Sequence, residues 1–251
     1  MNLRYITCSD PRESIILSDM ISVLNLSPLV EIGMQASPGP MSSGNPRNEW
    51  FNALLKHVVN TNRPSNIAVH VNYDWCDALC SGGAMPDEIA KWMKMPNFNG
   101  SAPAIRRWQL NIGDGTGKFK PDAVARLIKD NPRHEFIFPY NNRVADKISA
   151  LHKTGANFSL LYDSSYGYGV LPDAWYPPVY ESHPMGYAGG LSADNVTKNL
   201  NKISAVLPQD YKTWIDAEGR LMKEDTRHWD VNAVMCYIKH ALMFNDSQRS
   251  H

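Results

Sequence analysis

The stretch Gly186-Tyr187-Ala188-Gly189-Gly190-Leu191-Ser192-Ala193-Asp194-Asn195-Val196 runs from apolar residues into paired glycines, then a serine and an acid. Serine is a preferred N-cap, and an acidic side chain in a first turn suits the positive end of a helix. The order predicts a strand-to-helix turn with Ser192 as N-cap and Asp194 in the first turn. Such a turn points backbone N–H groups outward, where they hold an anion. Further on, Trp214-Ile215-Asp216-Ala217-Glu218-Gly219-Arg220 is a second turn of the same kind. Two in succession fit the last two loops of a β/α barrel, which often bind phosphate.

Elsewhere short apolar runs alternate with helix-patterned stretches, the mark of βαβ units and a parallel sheet. Eight strands are expected, near Leu3–Thr7, Leu29–Met34, Asn66–Val71, Trp108–Ile112, Glu135–Pro139, Phe158–Tyr162, Met185–Ala188 and Thr213–Asp216. Helices are expected over Glu13–Leu26, Asn48–Asn60, Asp87–Lys94, Pro121–Lys129, Val144–Lys153, Ala193–Ser204 and Trp229–Phe244. Pro121 suits a first helical position, and Asp122 behind it suits the dipole. Periodicity alone does not say whether the sheet closes, and an open doubly wound sheet is the competing architecture. Strand count and a length of 251 residues favour a single TIM (βα)8-barrel domain over residues 1–251. Longer loops are expected at about 35–47, 73–104 and 164–183, with a frayed tail at 245–251.

The 25 basic and 25 acidic side chains cancel, with no block of like charge. That argues against a general electrostatic affinity for nucleic acid or an anionic membrane. No apolar run approaches membrane-spanning length and no signal-peptide pattern is present, so a cytoplasmic location is expected. Cys8, Cys76, Cys80 and Cys236 are too few and scattered for a disulfide framework.

In a β/α barrel the active site lies at the C-terminal strand ends. Those ends carry Cys8, Gln35, Asn72, Gly113 with Asp114, Asn141, Asp163, Gly189 with Gly190, and Asp216. Cys8 and Asp163 can serve as base and acid across the mouth. Each also has a structural reading: Cys8 as a small buried hydrophobe, Asp163 as a turn residue bonding its own backbone. Asp216 is either a ligand contact or an orienting group for the last loop. His70, among apolar neighbours, is expected in the core. Cys76 and Cys80, near His70 and Asp74, lack the spacing and fourth ligand of a zinc site, so no metal is expected. Gly113-Asp114-Gly115-Thr116-Gly117-Lys118 fails the P-loop pattern and reads as a loop. Tyr73, Trp75, Tyr166, Tyr168, Trp175 and Tyr176 either line an aromatic pocket or pack a decorated mouth.

These strand ends resemble phosphoribosylanthranilate isomerase. Tyr5-Ile6-Thr7-Cys8 resembles that family's first-strand phrase ending in cysteine, and Ile67-Ala68-Val69-His70-Val71-Asn72 its third strand. Trp108-Gln109-Leu110-Asn111-Ile112-Gly113 resembles its Val-Gln-Leu-His-Gly, and Leu160-Leu161-Tyr162-Asp163 its Leu-Leu-Asp. Ala188-Gly189-Gly190-Leu191-Ser192 with Asn195-Val196 resembles Ala-Gly-Gly-Leu-Thr-Pro-Glu-Asn-Val, and Trp214 to Gly219 resembles Val-Asp-Val-Ser-Ser-Gly. The colinear match runs from Tyr5 to Gly219. The resemblance implies an Amadori isomerase, turning an aminoaldose into an aminoketose with no cofactor. By resemblance Asp163 is the acid that opens the ring and Cys8 the base at C2. Gly189, Gly190 and Gly219 would hold the phosphate through backbone N–H groups, and Arg47 would meet the substrate's carboxylate. Asp216 and Arg220 are further candidates for the substrate site, Arg220 as an offset to Glu218.

Two departures support an alternative, a barrel holding a nucleotide or other phosphorylated small molecule without turnover. After Cys8 the family's Gly-Ile-Thr is shortened, and Asp10 close by tends to raise a thiol's pKa. At the last strand, Ala217-Glu218 replaces a small Ser-Ser pair, setting a carboxylate beside a phosphate turn. The expected partner is a phosphorylated small molecule, with the protein a monomer or homodimer.

Overall fold

The computed structural model describes residues 1–61, 66–113, 118–226 and 228–249. The strands are β1 (Asn2–Ser9), β2 (Val30–Ala36), β3 (Asn66–Val71), β4 (Arg107–Leu110), β5 (Glu135–Tyr140), β6 (Ser159–Tyr162), β7 (Met185–Ala188) and β8 (Lys212–Ala217). They close a parallel barrel in sequence order, a TIM (βα)8 fold, so the open-sheet alternative falls. The helices are α1 (Leu17–Leu24), α2 (Pro46–Asn60), α3 (Tyr73–Ser81), α4 (Asp87–Lys94), α5 (Pro121–Asp130), α6 (Ala145–His152), α7 (Val196–Val206) and α8 (Val231–Arg249). The chain forms two compact units, one of Met1–Ile32 with Leu160–His251 and one of Gly33–Ser159.

In the first unit β1 pairs with β8, with Thr7 opposite Asp216 and Cys8 opposite Ala217. The register slips between Leu3 and Tyr5, and the Arg4 guanidinium stacks over Trp214 at 4.6 Å. Trp214 lies flat across β7, because Gly186 has no side chain to meet it; an added Cβ would reach 2.6 Å from the indole Nε1. The long segment between β6 and β7 is anchored by aromatics. Trp175 stacks edge-on against Tyr187 at 5.7 Å and donates to Asn199 of α7. Tyr187 Oη donates to the Tyr176 carbonyl.

In the second unit the pairs Ala68–Arg107, Val69–Trp108 and His70–Gln109 set the two faces of β3 and β4. One face is apolar, with Val69, Val71, Trp108 and Leu110 all buried. The other carries polar groups: Arg107 meets Glu135 at 3.3 Å, and Ser159 Oγ donates to the same carboxylate. Arg107 is buried while Glu135 is only half-buried, which lowers the cost of taking the pair out of water.

Pro121 opens α5 with Asp122 in its first turn, as the sequence predicts. The expected cap at Ser192 is not formed. Helix α7 begins later, with Asn195 as N-cap, so Asp194 falls before its first turn. Asn195 accounts for the shift, since its Oδ1 accepts from the Ser192 amide and its Nδ2 donates to the Gly190 carbonyl. Within the long segment at 73–104, α4 forms over Asp87–Lys94 as expected, and α3 over Tyr73–Ser81 is a helix not expected from the sequence. The tail expected to fray continues as α8 to Arg249, and Asn245 is buried with its Oδ1 accepting from the Leu3 amide. Residues 114–117 of the glycine-rich loop and 250–251 of the tail lie outside the described residues.

Candidate functional site

Pairing of β7 with β8 sets Ala188 opposite Asp216, so Gly189 and Gly190 follow one strand where Ala217 to Gly219 follow its neighbour. The two glycines have φ of 109° and 68°, a region L side chains avoid. They are also overlaid. A Cβ on Gly190 would meet the Leu171 amide at 2.7 Å and the Gly169 carbonyl at 2.9 Å. On Gly189 it would meet the Val170 carbonyl at 3.0 Å and Asp163 Oδ1 at 3.4 Å. The paired glycines therefore serve two ends, a positive-φ turn and a close seat for the segment after β6.

Asp163 thus stands beside Gly189, and its own loop engages both of its oxygens. Oδ1 accepts from the Ser165 amide at 2.9 Å and hydroxyl at 2.7 Å, and Oδ2 from the Gly167 amide at 2.7 Å. The turn-residue reading of Asp163 is the one formed here, with the carboxylate half-buried at the strand end.

Asp216 is buried, and Ser9 Oγ donates to its Oδ1 at 2.7 Å. Ser9 is held in turn, since its carbonyl accepts from Trp229 Nε1 at 2.9 Å. After β8, Gly219–Leu221 forms one 3-10 turn with Glu218 as its N-cap residue; Gly219 and Arg220 are exposed.

Cys8 does not join these groups. Successive strand residues point to opposite faces. Thr7, whose hydroxyl donates to Glu31, and Ser9, whose hydroxyl donates to Asp216, share one face. Cys8 between them faces the other way, toward Tyr237 of α8, whose hydroxyl is pushed up by burial and then by Cys8 and Asp216. Cys8 is fully buried, and burial, then Asp216 and Glu31, push its thiol well above the ordinary range. A thiol so placed stays protonated at neutral pH, the small-hydrophobe reading rather than the base.

In the second unit Arg47 is nearly buried at the start of α2; its amide donates to Asn45 Oδ1, and its Nη2 lies 3.5 Å from the Gln35 carbonyl. His70 is a core residue, its pKa lowered to about 3 by burial and then by Arg107. Cys76 and Cys80 stand with sulfurs 3.9 Å apart, the Cys76 thiol raised by its bond to Cys80 and by burial. Among the described residues no cluster of His, Cys, Asp and Glu could hold a metal. No described helix is long and apolar enough to cross a membrane.

Ser9, Gln109 and Asn111 were not singled out as site residues from the sequence, yet a signal was present. Gln109 and Asn111 alternate with Trp108 and Leu110, and Thr7 and Ser9 alternate with Ile6 and Cys8. In a buried parallel strand, polar residues at period two mark an inner, hydrogen-bonded face.

No protein-family model matches this chain, and no curated protein does. Among solved structures, monomers generated from the dimeric phosphoribosylanthranilate isomerase of Thermotoga maritima are similar, at 14% identity and a TM-score of 0.53. The match covers 95% of this chain and 98% of that one. The likeness is one of fold, that of a closed eight-stranded parallel barrel.

Proposed function

We propose that this barrel acts on a phosphorylated sugar amine as an aldose–ketose isomerase of the phosphoribosylanthranilate isomerase type, by general acid/base catalysis without a cofactor. The observation that carries the reading is the β7–β8 pairing, which sets Gly189 and Gly190 beside the turn at Gly219 and leaves a carboxylate on either side. Asp163 ends β6 and Asp216 lies in β8, two strand spacings apart, about 10 Å at the backbone. That span suits a five-membered ring held by its phosphate. Asp163 is the acid toward the ring oxygen. Asp216, oriented by Ser9, takes the C2 proton in place of Cys8. Arg220, exposed beside Gly219, offsets the charge that Glu218 brings to a phosphate turn.

A second reading is a barrel that holds a phosphorylated small molecule without turnover. Two observations favour it: the thiol of Cys8, buried and turned to the outer face of its strand, and the engagement of both Asp163 oxygens by its own loop. Incubation with an N-aryl phosphoribosylamine separates the two readings. Ketose product that disappears in both Asp163→Asn and Asp216→Asn supports the isomerase. Saturable binding by the parent with no product supports the holder. Absence of both binding and product removes both readings.

A further inference from the structure

We infer that the inner ends of β2, β3 and β4 recognise the cyclic amide or amidine edge of a planar heterocycle, the kind of edge that nucleobases carry. The inference goes beyond the isomerase reading and does not depend on the β7–β8 turn.

Four carboxamides from neighbouring strands join head to tail. Gln109 Nε2 donates to Asn111 Oδ1 at 2.9 Å, and Asn111 Nδ2 to Asn72 Oδ1 at 2.8 Å. Asn72 Nδ2 donates to Gln35 Oε1 at 2.6 Å and to the His70 carbonyl at 2.9 Å. The β3–β4 register sets His70 opposite Gln109, so Asn72 and Asn111, two residues further on, continue the same face. Gln35, Asn72 and Asn111 are half-buried, and they stand at the strand ends where barrel sites lie.

The row is uncharged, so what it can read is a pattern of donors and acceptors. Within each link the N–H and the oxygen are spent on one another. A lactam or amidine edge carries an acceptor and a donor on neighbouring atoms, so it meets only what the row leaves over. A carboxamide has two N–H donors and two lone pairs. Asn111 uses one of each within the row, which leaves one N–H and one lone pair for a ligand, and bonds on both sides fix its orientation. Bidentate pairing of Asn or Gln with a base edge is a recurring form of readout.

A separate observation lies next in sequence. Tyr73, directly after Asn72, holds a φ of 50° and is 76% exposed. Strained non-glycine backbone is kept mainly at functional places, and an exposed aromatic offers a stacking face to any base.

Titration of the full chain with inosine, followed by calorimetry or by NMR shifts, tests the site without involving phosphate. Saturable binding is expected. With 1-methylinosine, whose methyl caps the N1–H of the edge, it should weaken by about tenfold or more. Asn111→Leu should weaken inosine binding similarly. Tyr73→Gly relieves the positive φ, so it should keep or raise the thermal midpoint while weakening inosine binding. The proposal is overturned if inosine, adenosine and uridine all fail to saturate. It is equally overturned if the methyl group makes no difference, or if folded Asn111→Leu binds as the parent does. Should Asn111→Leu not fold, the two nucleosides compared on the parent chain decide alone.

Discussion

Ser9 Oγ donates to Asp216 Oδ1 at 2.7 Å, tying the end of the first strand to the last strand across the seam where the barrel closes. Both residues are buried, so the carboxylate draws part of its stabilisation from a protein hydroxyl rather than from water. Ser9→Ala removes that donor and leaves the acceptor in place. A hydrogen bond to a charged group is worth about 1.5–3 kcal/mol, and a loss of that order is expected. Urea unfolding checks it, and an unchanged midpoint would show the bond to be incidental.

Gly186 illustrates a different constraint. Its lack of a side chain admits the Trp214 indole, over which the Arg4 guanidinium also lies. Gly186→Ala forces the ring or β7 to move, and overpacking of this kind costs about 1–3 kcal/mol. In the double variant with Trp214→Leu the alanine should be nearly neutral. Thermal midpoints of the four proteins in that cycle measure the coupling.

Gly190→Ala should act on the segment after β6 as well as on its own turn. The φ of 68° costs an alanine about 1–2 kcal/mol, and the Cβ presses on the backbone of Gly169 to Leu171. Limited proteolysis between Ser164 and His183 should quicken more than the fall in global stability explains. Equal protection in parent and variant would show that this segment does not rest on Gly190.

These positions also show what a single sequence reveals. The eight strands were legible because each is a short apolar run set off by helical stretches or turn-rich segments. Closure in sequence order was favoured by strand count and length, and the strand pairing shows it. Pro121 and Asp122 announced their helix correctly. Cys8 was legible as a strand-end residue but not in its direction, because one residue of register exchanges the two faces of a strand. Here Thr7 and Ser9 take the inner face and Cys8 the outer. Ser192 lost its cap to Asn195, whose carboxamide bonds both to the Ser192 amide and back to Gly190, a three-dimensional competition that cap propensity does not rank. The tail looked polar and was expected to fray, but Asn245 anchors it to Leu3 at the far end of the chain.

The four cysteines should differ sharply toward alkylation. Cys236 is exposed, whereas Cys8, Cys76 and Cys80 are buried. One equivalent of iodoacetamide should react rapidly in the native protein, and the other three thiols only after unfolding. Cys8→Ser then bears on the chemistry: if Asp216 is the base, isomerase turnover survives in the serine variant. Turnover lost from a folded Cys8→Ser would return the base to the thiol.

His70 gives the pH dependence its sign. Burial, then the nearby Arg107, lowers its pKa from 6.5 to about 3, so the folded protein holds the neutral imidazole. The unfolded chain takes up the proton near pH 6.5 while the folded one does not. The stability His70 contributes is therefore complete above pH 6.5 and lost as pH falls toward about 3. Across that window the loss is on the order of 3–5 kcal/mol, by the conversion of about 1.4 kcal/mol per pKa unit. Urea midpoints of the parent and of His70→Leu, measured from pH 7 to pH 3, should converge as the acid limit is approached, because leucine has no proton to gain. Parallel curves would mean that Arg107 and its partners, rather than the imidazole, set the acid sensitivity of this half of the barrel.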